Sequence, residues 1–150
     1  MGSCFLKQRF INFFCKIAKE TAELSHAKRL KVGCVIVKDN RILSIGYNGT
    51  PAGWDNKCEE VVPSNEWVEF EQLKTKPEVL HAEANALMKL ARSTESSEGA
   101  SLFQTHAPCL DCAKMIYQAG IESLYFIEDY RFDQGVKFLE KSGVNVCQVK

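Results

Sequence analysis

The sequence lacks an excess of charge of either sign. Its 150 residues include 19 lysines and arginines and 19 aspartates and glutamates, so the formal net charge at pH 7 is zero. Proteins that bind nucleic acid normally carry a basic patch that neutralises phosphates. This balance provides no such attraction, and we expect no nucleic acid as a partner.

The sequence also lacks any apolar segment long enough to span a bilayer, which takes about 20 residues. Lys16, Lys19 and Glu20 interrupt the apolar residues near the start, which does not fit a signal peptide. A myristoylation signal would have serine or threonine at position 6, where this chain has Leu6. We therefore expect no membrane partner and a cytoplasmic location.

Cysteine is frequent, with 7 residues, but the spacing does not indicate a disulfide framework. Cys109 and Cys112 form a C-x-x-C pair. The other cysteines stand in mixed contexts and are odd in number: Cys4, Cys15, Cys34, Cys58 and Cys147. We expect reduced thiols, which are typical of cytoplasmic proteins.

Apolar periodicity predicts helices and strands in the order α-β-β-α-β-α-β-α-β. The helices are predicted at residues 7–24, 79–92, 109–119 and 133–141, and the strands at residues 32–37, 42–47, 100–105, 124–127 and 144–149. Lys38-Asp39-Asn40-Arg41 has the composition of a hairpin turn. Residues 54–76 are predicted to form a polar loop.

A hairpin followed by alternating helices and strands implies an antiparallel pair and then parallel, right-handed crossovers. We therefore expect a single α/β domain over residues 1–150, with a three-layer α/β/α architecture and a five-stranded mixed sheet. Two strand-to-helix junctions lie at one edge of this sheet, which is where such folds bind ligands.

These two junctions contain HAE at residues 81–83 and PCLDC at residues 108–112. His81, Cys109 and Cys112 are three candidate zinc ligands, and a catalytic zinc site leaves its fourth position to water. Pro108 suits the first turn of a helix, whose N-terminus would help to hold both sulfurs as thiolates. The pattern predicts a catalytic zinc site.

Glu83 is the acid–base group that such a site needs. Zinc lowers the pKa of its bound water to about 7. Glu83 would accept that proton, deliver it to N3 of a cytosine and later protonate the leaving amine, which requires a raised pKa. A structural zinc site is the alternative, and His106 would be its fourth ligand. His106, however, lies at the end of a predicted strand.

The HAE and PCLDC segments match the H-x-E and P-C-x-x-C pattern of zinc-dependent deaminases. Together with GYNGTPAG at residues 46–53 and QAGI at residues 118–121, they give a chain that resembles the deoxycytidylate (dCMP) deaminases of the cytidine deaminase-like superfamily. The resemblance implies zinc-dependent hydrolysis of dCMP to dUMP and ammonia. Some larger members hold a second zinc ion near Cys58, but no histidine has ligand spacing to it here, so we expect one Zn²⁺ per chain.

Three further residues are candidates for substrate binding. The amide of Asn48 suits a deoxyribose hydroxyl or a base edge, although Asn-Gly is also a common hairpin turn. The resemblance implies that Tyr130 packs on the nucleotide, and Arg131 could pair with the 5′-phosphate. The alternatives are a surface tyrosine and a solvated arginine.

The resemblance also implies regulation. Members of this family are typically hexamers, activated by dCTP and inhibited by dTTP, with Mg²⁺ accompanying the triphosphate. The regulatory pocket is expected to use Tyr47, Asn48 and Gly49. The basic residues Lys28, Arg29 and Lys31 could meet the triphosphate, or they could form a solvated turn.

Three other functions stay open. A tRNA adenosine deaminase would share both motifs but would need a basic face. A nucleobase or nucleoside deaminase would have no use for Arg131. A nucleotide-binding module without turnover would have no need of Glu83.

Overall fold

The computed structural model of the protein describes residues 6–150, so Cys4 and the rest of residues 1–5 lie outside it. The helices are α1 Gln8–Ala22, α2 Ala82–Ala91, α3 Leu110–Gln118 and α4 Gln134–Lys141. The strands are β1 Gly33–Lys38, β2 Arg41–Tyr47, β3 Glu59–Val62, β4 Gln72–Thr75, β5 Ser101–His106, β6 Ser123–Glu128 and β7 Asn145–Gln148.

A five-stranded mixed sheet forms the centre of the fold, with the strand order β2-β1-β5-β6-β7. The strand β1 pairs antiparallel with β2 and β5, whereas β5, β6 and β7 are parallel. The turn between β1 and β2 consists of Asp39 and Asn40, which have φ values of 51° and 59°. Two successive positive φ values are typical of a type I′ turn, so the hairpin prediction is confirmed.

Helices cover both faces of this sheet, which confirms the three-layer prediction. Helix α1 packs Ile11, Phe14 and Ala18 on one face, where the rings of Phe103 and Tyr125 stack with their centroids 4.6 Å apart. Helices α2, α3 and α4 lie on the other face. Their buried residues include Ala86, Ile116 and Leu139.

The prediction of a polar loop over residues 54–76 was wrong in part. The loop contains β3 and β4, which pair antiparallel in a separate two-stranded sheet. Seven of the eight strand positions in β3 and β4 are exposed, and Glu59 is half-buried. Because neither face of this hairpin is buried, its sequence does not alternate between apolar and polar residues, and periodicity could not detect it.

Two glycines allow the sheet and the helices to approach each other closely. A Cβ atom at Gly46 of β2 would lie 2.6 Å from the backbone nitrogen of Ala86 in α2. A Cβ atom at Gly135 of α4 would lie 2.8 Å from the backbone oxygen of Cys109. Both contacts therefore leave no room for a side chain, and each fixes one of the two motif segments in place.

The helices can be compared with the prediction that no apolar segment of this sequence is long enough to span a bilayer. In the part of the chain that the structure describes, no helix has both the length and the apolar character needed to cross a bilayer.

Gly46→Ala should destabilise the fold by about 1–3 kcal/mol, because the added methyl group forces α2 away from β2. Gly49→Ala is the matched control, since a Cβ atom there would meet no other atom within 4 Å. Chemical denaturation of both variants measures the difference. Equal free energies of unfolding for the two variants would contradict the close contact.

Candidate zinc site and adjoining cavity

His81 lies at the N-terminus of α2 because a short backbone pairing stops the helix from starting earlier. The amide nitrogen of Leu80 donates to the carbonyl of Gly49 over 2.8 Å, and the amide of Gly49 donates to Leu80 over 3.1 Å. His81 therefore has an extended conformation and is the N-cap of α2. The predicted start at residue 79 was wrong for this reason.

Cys109 is the N-cap of α3, and its sulfur accepts a hydrogen bond from the amide of Cys112 over 3.5 Å. Pro108 precedes this cap, so the prediction that it stands in the first turn was wrong. It is buried, and its carbonyl faces Gly135 of α4. The contact with α4 thus holds the segment in front of the helix, while the cap places Cys109 and Cys112 on one side of α3.

The three candidate ligands converge with the spacing of a zinc site. The Nδ1 atom of His81 lies 3.6 Å from the sulfur of Cys109 and 3.4 Å from that of Cys112. Ligand atoms at ordinary zinc distances in a tetrahedral arrangement lie about 3.6 Å apart. The residues therefore fit Zn²⁺ closely.

Within residues 6–150, His81, Cys109 and Cys112 form the one group of three or more metal-ligating side chains. Neither His106 nor Cys58 belongs to it, and neither does Glu83. A structural zinc site normally has four protein ligands, whereas a catalytic site has three. The set present here is therefore that of a catalytic zinc ion.

The two thiols differ in their readiness to ionise. Hydrogen bonds from the Cys112 thiol and from His81 lower the pKa of Cys109 to about 4. The hydrogen bond to Cys109 and burial together raise the pKa of Cys112. Since zinc binds thiolates, metal uptake must release the proton of Cys112.

Glu83 is a buried carboxyl group in the first turn of α2, with 4% of its surface exposed. Burial raises its pKa, and the charge of Cys109 adds to this effect, while His81 opposes it. A carboxyl group whose charged form is disfavoured can take up and return a proton near neutral pH. Glu83 therefore has the environment of a general acid and base.

A cavity of about 490 Å³ opens beside these residues. His81, Glu83 and Cys109 line it, and so does every predicted substrate residue: Asn48, Tyr130 and Arg131. Tyr130 is half-buried, and the guanidinium of Arg131 lies over the rings of Tyr130 and Phe132, at 5.8 Å and 5.1 Å. The structure thus brings the zinc ligands and the predicted substrate residues together in one cavity.

Asn48 has a structural role in addition to its place in the cavity. Its side-chain oxygen accepts from the amide of Val32 over 2.9 Å, and its side-chain nitrogen donates to the carbonyl of Leu30 over 2.8 Å. It follows β2 and does not stand in a hairpin turn. Each side-chain atom can still form one further hydrogen bond, so contact with a substrate stays a prediction.

The predicted regulatory residues do not all line this cavity. Arg29 and Asn48 line it, whereas Lys28, Lys31, Tyr47 and Gly49 do not. Lys31 pairs with Glu23 at 3.6 Å, and the ring of Tyr47 lies 5.9 Å from the Lys89 ammonium group. Of the three basic residues that the sequence groups together, Arg29 alone is therefore part of the cavity lining.

Sequence reasoning missed the part of the cavity that the β3–β4 hairpin contributes. The Glu59 carboxylate accepts hydrogen bonds from the amides of Lys28 and Arg29 over 2.8 Å and 3.0 Å. The Thr75 hydroxyl accepts from the Arg29 guanidinium over 3.2 Å. Cys58, Glu59 and Thr75 also line the cavity. No local pattern could reveal these contacts, because the hairpin itself had no detectable periodicity.

Comparison with known proteins agrees with this geometry. The sequence profile described as "Cytidine and deoxycytidylate deaminase zinc-binding region" matches residues 8–128. The chain belongs to this family.

Several relatives extend the similarity over most of the chain. The dCMP deaminase of the cyanophage S-TIM5, solved in complex with dCMP and dUMP, is 41% identical, with a TM-score of 0.84 over 96% of this chain and 99% of that one. The deoxycytidylate deaminase of Saccharomyces cerevisiae is 35% identical over 91% of this chain and 44% of its own length. ComE operon protein 2 of Bacillus subtilis is 35% identical over 84% of this chain and 64% of its own. The chain thus spans less than two thirds of these last two relatives.

Glu83→Gln should keep the fold and the zinc ion but slow ammonia release by about 10²- to 10⁴-fold, because an amide cannot exchange the proton. Cys112→Ala should lose the metal as well. Zinc content per folded chain, measured beside turnover, separates the two roles. Loss of zinc in Glu83→Gln would show that Glu83 is a ligand, and full zinc in Cys112→Ala would show that Cys112 is not.

Proposed function

We propose that the protein is a zinc-dependent dCMP deaminase that hydrolyses dCMP to dUMP and ammonia. The buried Glu83 carboxyl beside the His81, Cys109 and Cys112 cluster is the observation that supports this most directly. It combines a three-ligand zinc site with a group able to carry protons. Similarity to a dCMP deaminase over nearly its whole length supports the choice of substrate.

The zinc ion held by His81, Cys109 and Cys112 would supply a water molecule with a pKa near 7. The Glu83 carboxylate accepts the proton of that water and delivers it to N3 of the cytosine ring. The oxygen of that water would add to C4, and Glu83 would then take the remaining proton of the added hydroxyl group and deliver it to the amino group. The C4–N bond would break as the C4 carbonyl of dUMP forms, and ammonia would leave. The raised pKa of Glu83 suits this exchange, because the group must be both a base and an acid in one turnover.

The cavity offers two arginines to the phosphate of a nucleoside monophosphate, beside the carboxyl groups of Glu59, Glu83 and Asp129. Arg131 and Arg29 both line it. The carboxylate of Glu59 is engaged by two backbone amides, so it is already paired in part within the protein. We therefore infer that Arg131 and Arg29 bind the 5′-phosphate, with Tyr130 against the nucleotide and Asn48 at the sugar or base edge.

Ammonia release should be faster with dCMP than with cytidine, guanine or a tRNA hairpin at equal concentration, and CMP in the same comparison measures the preference for deoxyribose. A 5′-phosphate offers the arginines two charge-assisted hydrogen bonds that cytidine lacks. Preference for guanine or for cytidine would place the protein among the nucleobase or nucleoside deaminases, and preference for the tRNA hairpin would contradict the charge argument.

Arg131→Ala should raise the KM for dCMP by about 10- to 100-fold, since each charge-assisted hydrogen bond contributes more than a neutral one. The KM for deoxycytidine should change little, because that substrate has no phosphate. Arg29→Ala should behave in the same way. Arg9→Ala, an exposed position on α1 at the other face of the sheet, is the control. Equal effects of Arg131→Ala on both substrates would assign that arginine a structural role.

We also propose that dCTP activates and dTTP inhibits the enzyme, with Mg²⁺ bound to the triphosphate, and that the chain assembles into a hexamer in the cytoplasm. The GYNG segment supports this through the family resemblance. Lys28, Lys31, Tyr47 and Gly49 do not line the substrate cavity, which is compatible with a second site.

Catalytically inactive Glu83→Ala should bind dCTP more tightly in the presence of dCMP, by roughly 5- to 150-fold, because coupling between two sites is reciprocal. Titration with dCTP, with and without dCMP, measures this. If dCMP instead competes with dCTP, both nucleotides bind in one cavity and the regulatory proposal fails.

A further inference from the structure

The β3–β4 hairpin presents large apolar side chains to solvent. Between its two strands, Trp67 and Phe70 are 90% and 71% exposed. Val61 of β3 and Leu73 of β4 are paired across the ladder and are exposed as well. Soluble proteins rarely leave several large apolar side chains of one segment in water, and such a surface usually binds another molecule. We call residues 60–71 the arm tip.

The arm tip contains an ordered turn. The backbones of Asn65 and Val68 form two hydrogen bonds with each other, of 3.0 Å and 3.3 Å. The side-chain oxygen of Asn65 also accepts from the amides of Trp67 and Val68, over 2.8 Å and 3.0 Å. The turn therefore fixes the backbone that carries Trp67 before any partner binds, which reduces the entropy that binding costs.

The arm tip is also acidic. It contains four glutamates and no lysine or arginine: Glu60, Glu66, Glu69 and Glu71. All four are exposed, and within residues 6–150 none of them forms an ion pair. Exposed aromatic side chains together with charges of one sign are typical of a protein interface, which has an apolar centre and a polar rim. The matching surface must be basic and must also offer an apolar group.

The outer side of α1 has this complementary character. Residues 7–19 contain four basic residues and no acidic one: Lys7, Arg9, Lys16 and Lys19. Phe13 is 52% exposed, although it belongs to the helix that covers this face of the sheet. Phe13, Lys16 and Lys19 follow one another at intervals of three residues, so they are neighbours along one side of the helix. We call these three residues the α1 patch.

The arm tip and the α1 patch do not cover each other within one chain. Phe13 and Trp67 are both exposed, and β3 and β4 form a sheet of their own. In the part of the chain that the structure describes, Lys16 and Lys19 form no ion pair. The chain as a whole has no net charge, yet these two surfaces carry charges of opposite sign. A second copy of the chain therefore offers to each surface the charge and the apolar contact that it lacks.

We propose that the arm tip of one copy docks on the α1 patch of a second copy. Trp67 and Phe70 pack against Phe13, and the glutamates of the arm tip face the lysines of the α1 patch. Because the contact joins two different surfaces, it forms either a twofold dimer with two such contacts or a closed ring of copies. This inference names surfaces for the assembly proposed above and does not depend on the deaminase activity.

Charge reversal tests the contact in the zinc-loaded protein. Glu66→Lys with Glu69→Lys gives an arm variant, and Lys16→Glu with Lys19→Glu gives an α1 variant. Each variant alone should associate at least about 10-fold more weakly than the wild type, because like charges then face each other. An equimolar mixture of the two should recover the wild-type mass, since each arm tip again meets an α1 patch of opposite charge. Sedimentation at several protein concentrations measures the association.

A matched pair of reversals controls for the change in net charge. Arg92→Glu with Lys141→Glu alters two exposed positions at the ends of α2 and α4, on the other face of the sheet. This variant should associate like the wild type. A loss equal to that of the α1 variant would overturn the proposal, because the effect would then come from net charge and not from the patch.

The apolar part of the contact is tested separately. Trp67→Ser should weaken association by roughly 30-fold or more, since a tryptophan buried at an interface typically contributes this much. Trp54→Ser is the matched control, because Trp54 is also 59% exposed but lies outside the arm tip. Circular dichroism checks that each variant is folded. Equal association of the two tryptophan variants would overturn the proposal.

Three further outcomes would overturn it. A wild type that stays monomeric at every concentration would leave the arm tip to a partner of another kind. An oligomer that neither reversal weakens would keep the proposed assembly and place the contact elsewhere. A mixture of the arm and α1 variants that does not associate would show that the two surfaces do not meet. Absence of ammonia release from dCMP with unchanged association would contradict the proposed function alone.

Discussion

The constraint on which this structure depends is the meeting of two helix N-termini at one edge of the sheet. His81 caps α2 and Cys109 caps α3, and their ligand atoms lie 3.6 Å apart. Gly46 of β2 lets α2 approach the sheet closely, and Gly135 of α4 lets α4 approach the backbone at Cys109. The positive ends of the two helix dipoles also favour thiolates at this point. The same arrangement of the two helix N-termini thus allows close packing and brings the candidate zinc ligands together.

The second consequence of this arrangement concerns Glu83. The first turn of α2 carries it beneath the zinc ligands, where it is shielded from water and lies near the Cys109 sulfur. Both effects disfavour its charged form. A group that must gain and lose a proton in each turnover benefits from such a balance, whereas an exposed glutamate would stay ionised. The burial that shapes the core on this side of the sheet therefore also raises the pKa of Glu83, as the proposed acid–base role requires.

The outer part of the cavity has a different origin, because it depends on a hairpin outside the central sheet. Glu59 and Thr75 tie this hairpin to Lys28 and Arg29 through hydrogen bonds that involve both backbone and side chains. Arg29 lines the cavity, whereas Lys28 and Lys31 do not.

Local spacing in the sequence was sufficient to predict the cluster of His81, Cys109 and Cys112, the turn at Asp39 and Asn40, and the mixed sheet between helices. Each of these depends on residues close in sequence or on strong periodicity. Tertiary structure decided the rest, because it joins residues that no local pattern connects. The contacts of Glu59 with Lys28, of Arg29 with Thr75 and of Gly33 with Thr105 span 31, 46 and 72 residues. The sequence suggested that Asn48 is either a turn residue or a substrate contact. The fold shows in addition that its side-chain amide forms hydrogen bonds with the backbone of Leu30 and Val32. Such hydrogen bonds form only when packing brings distant segments together. The surroundings of these side chains therefore cannot be predicted from local sequence.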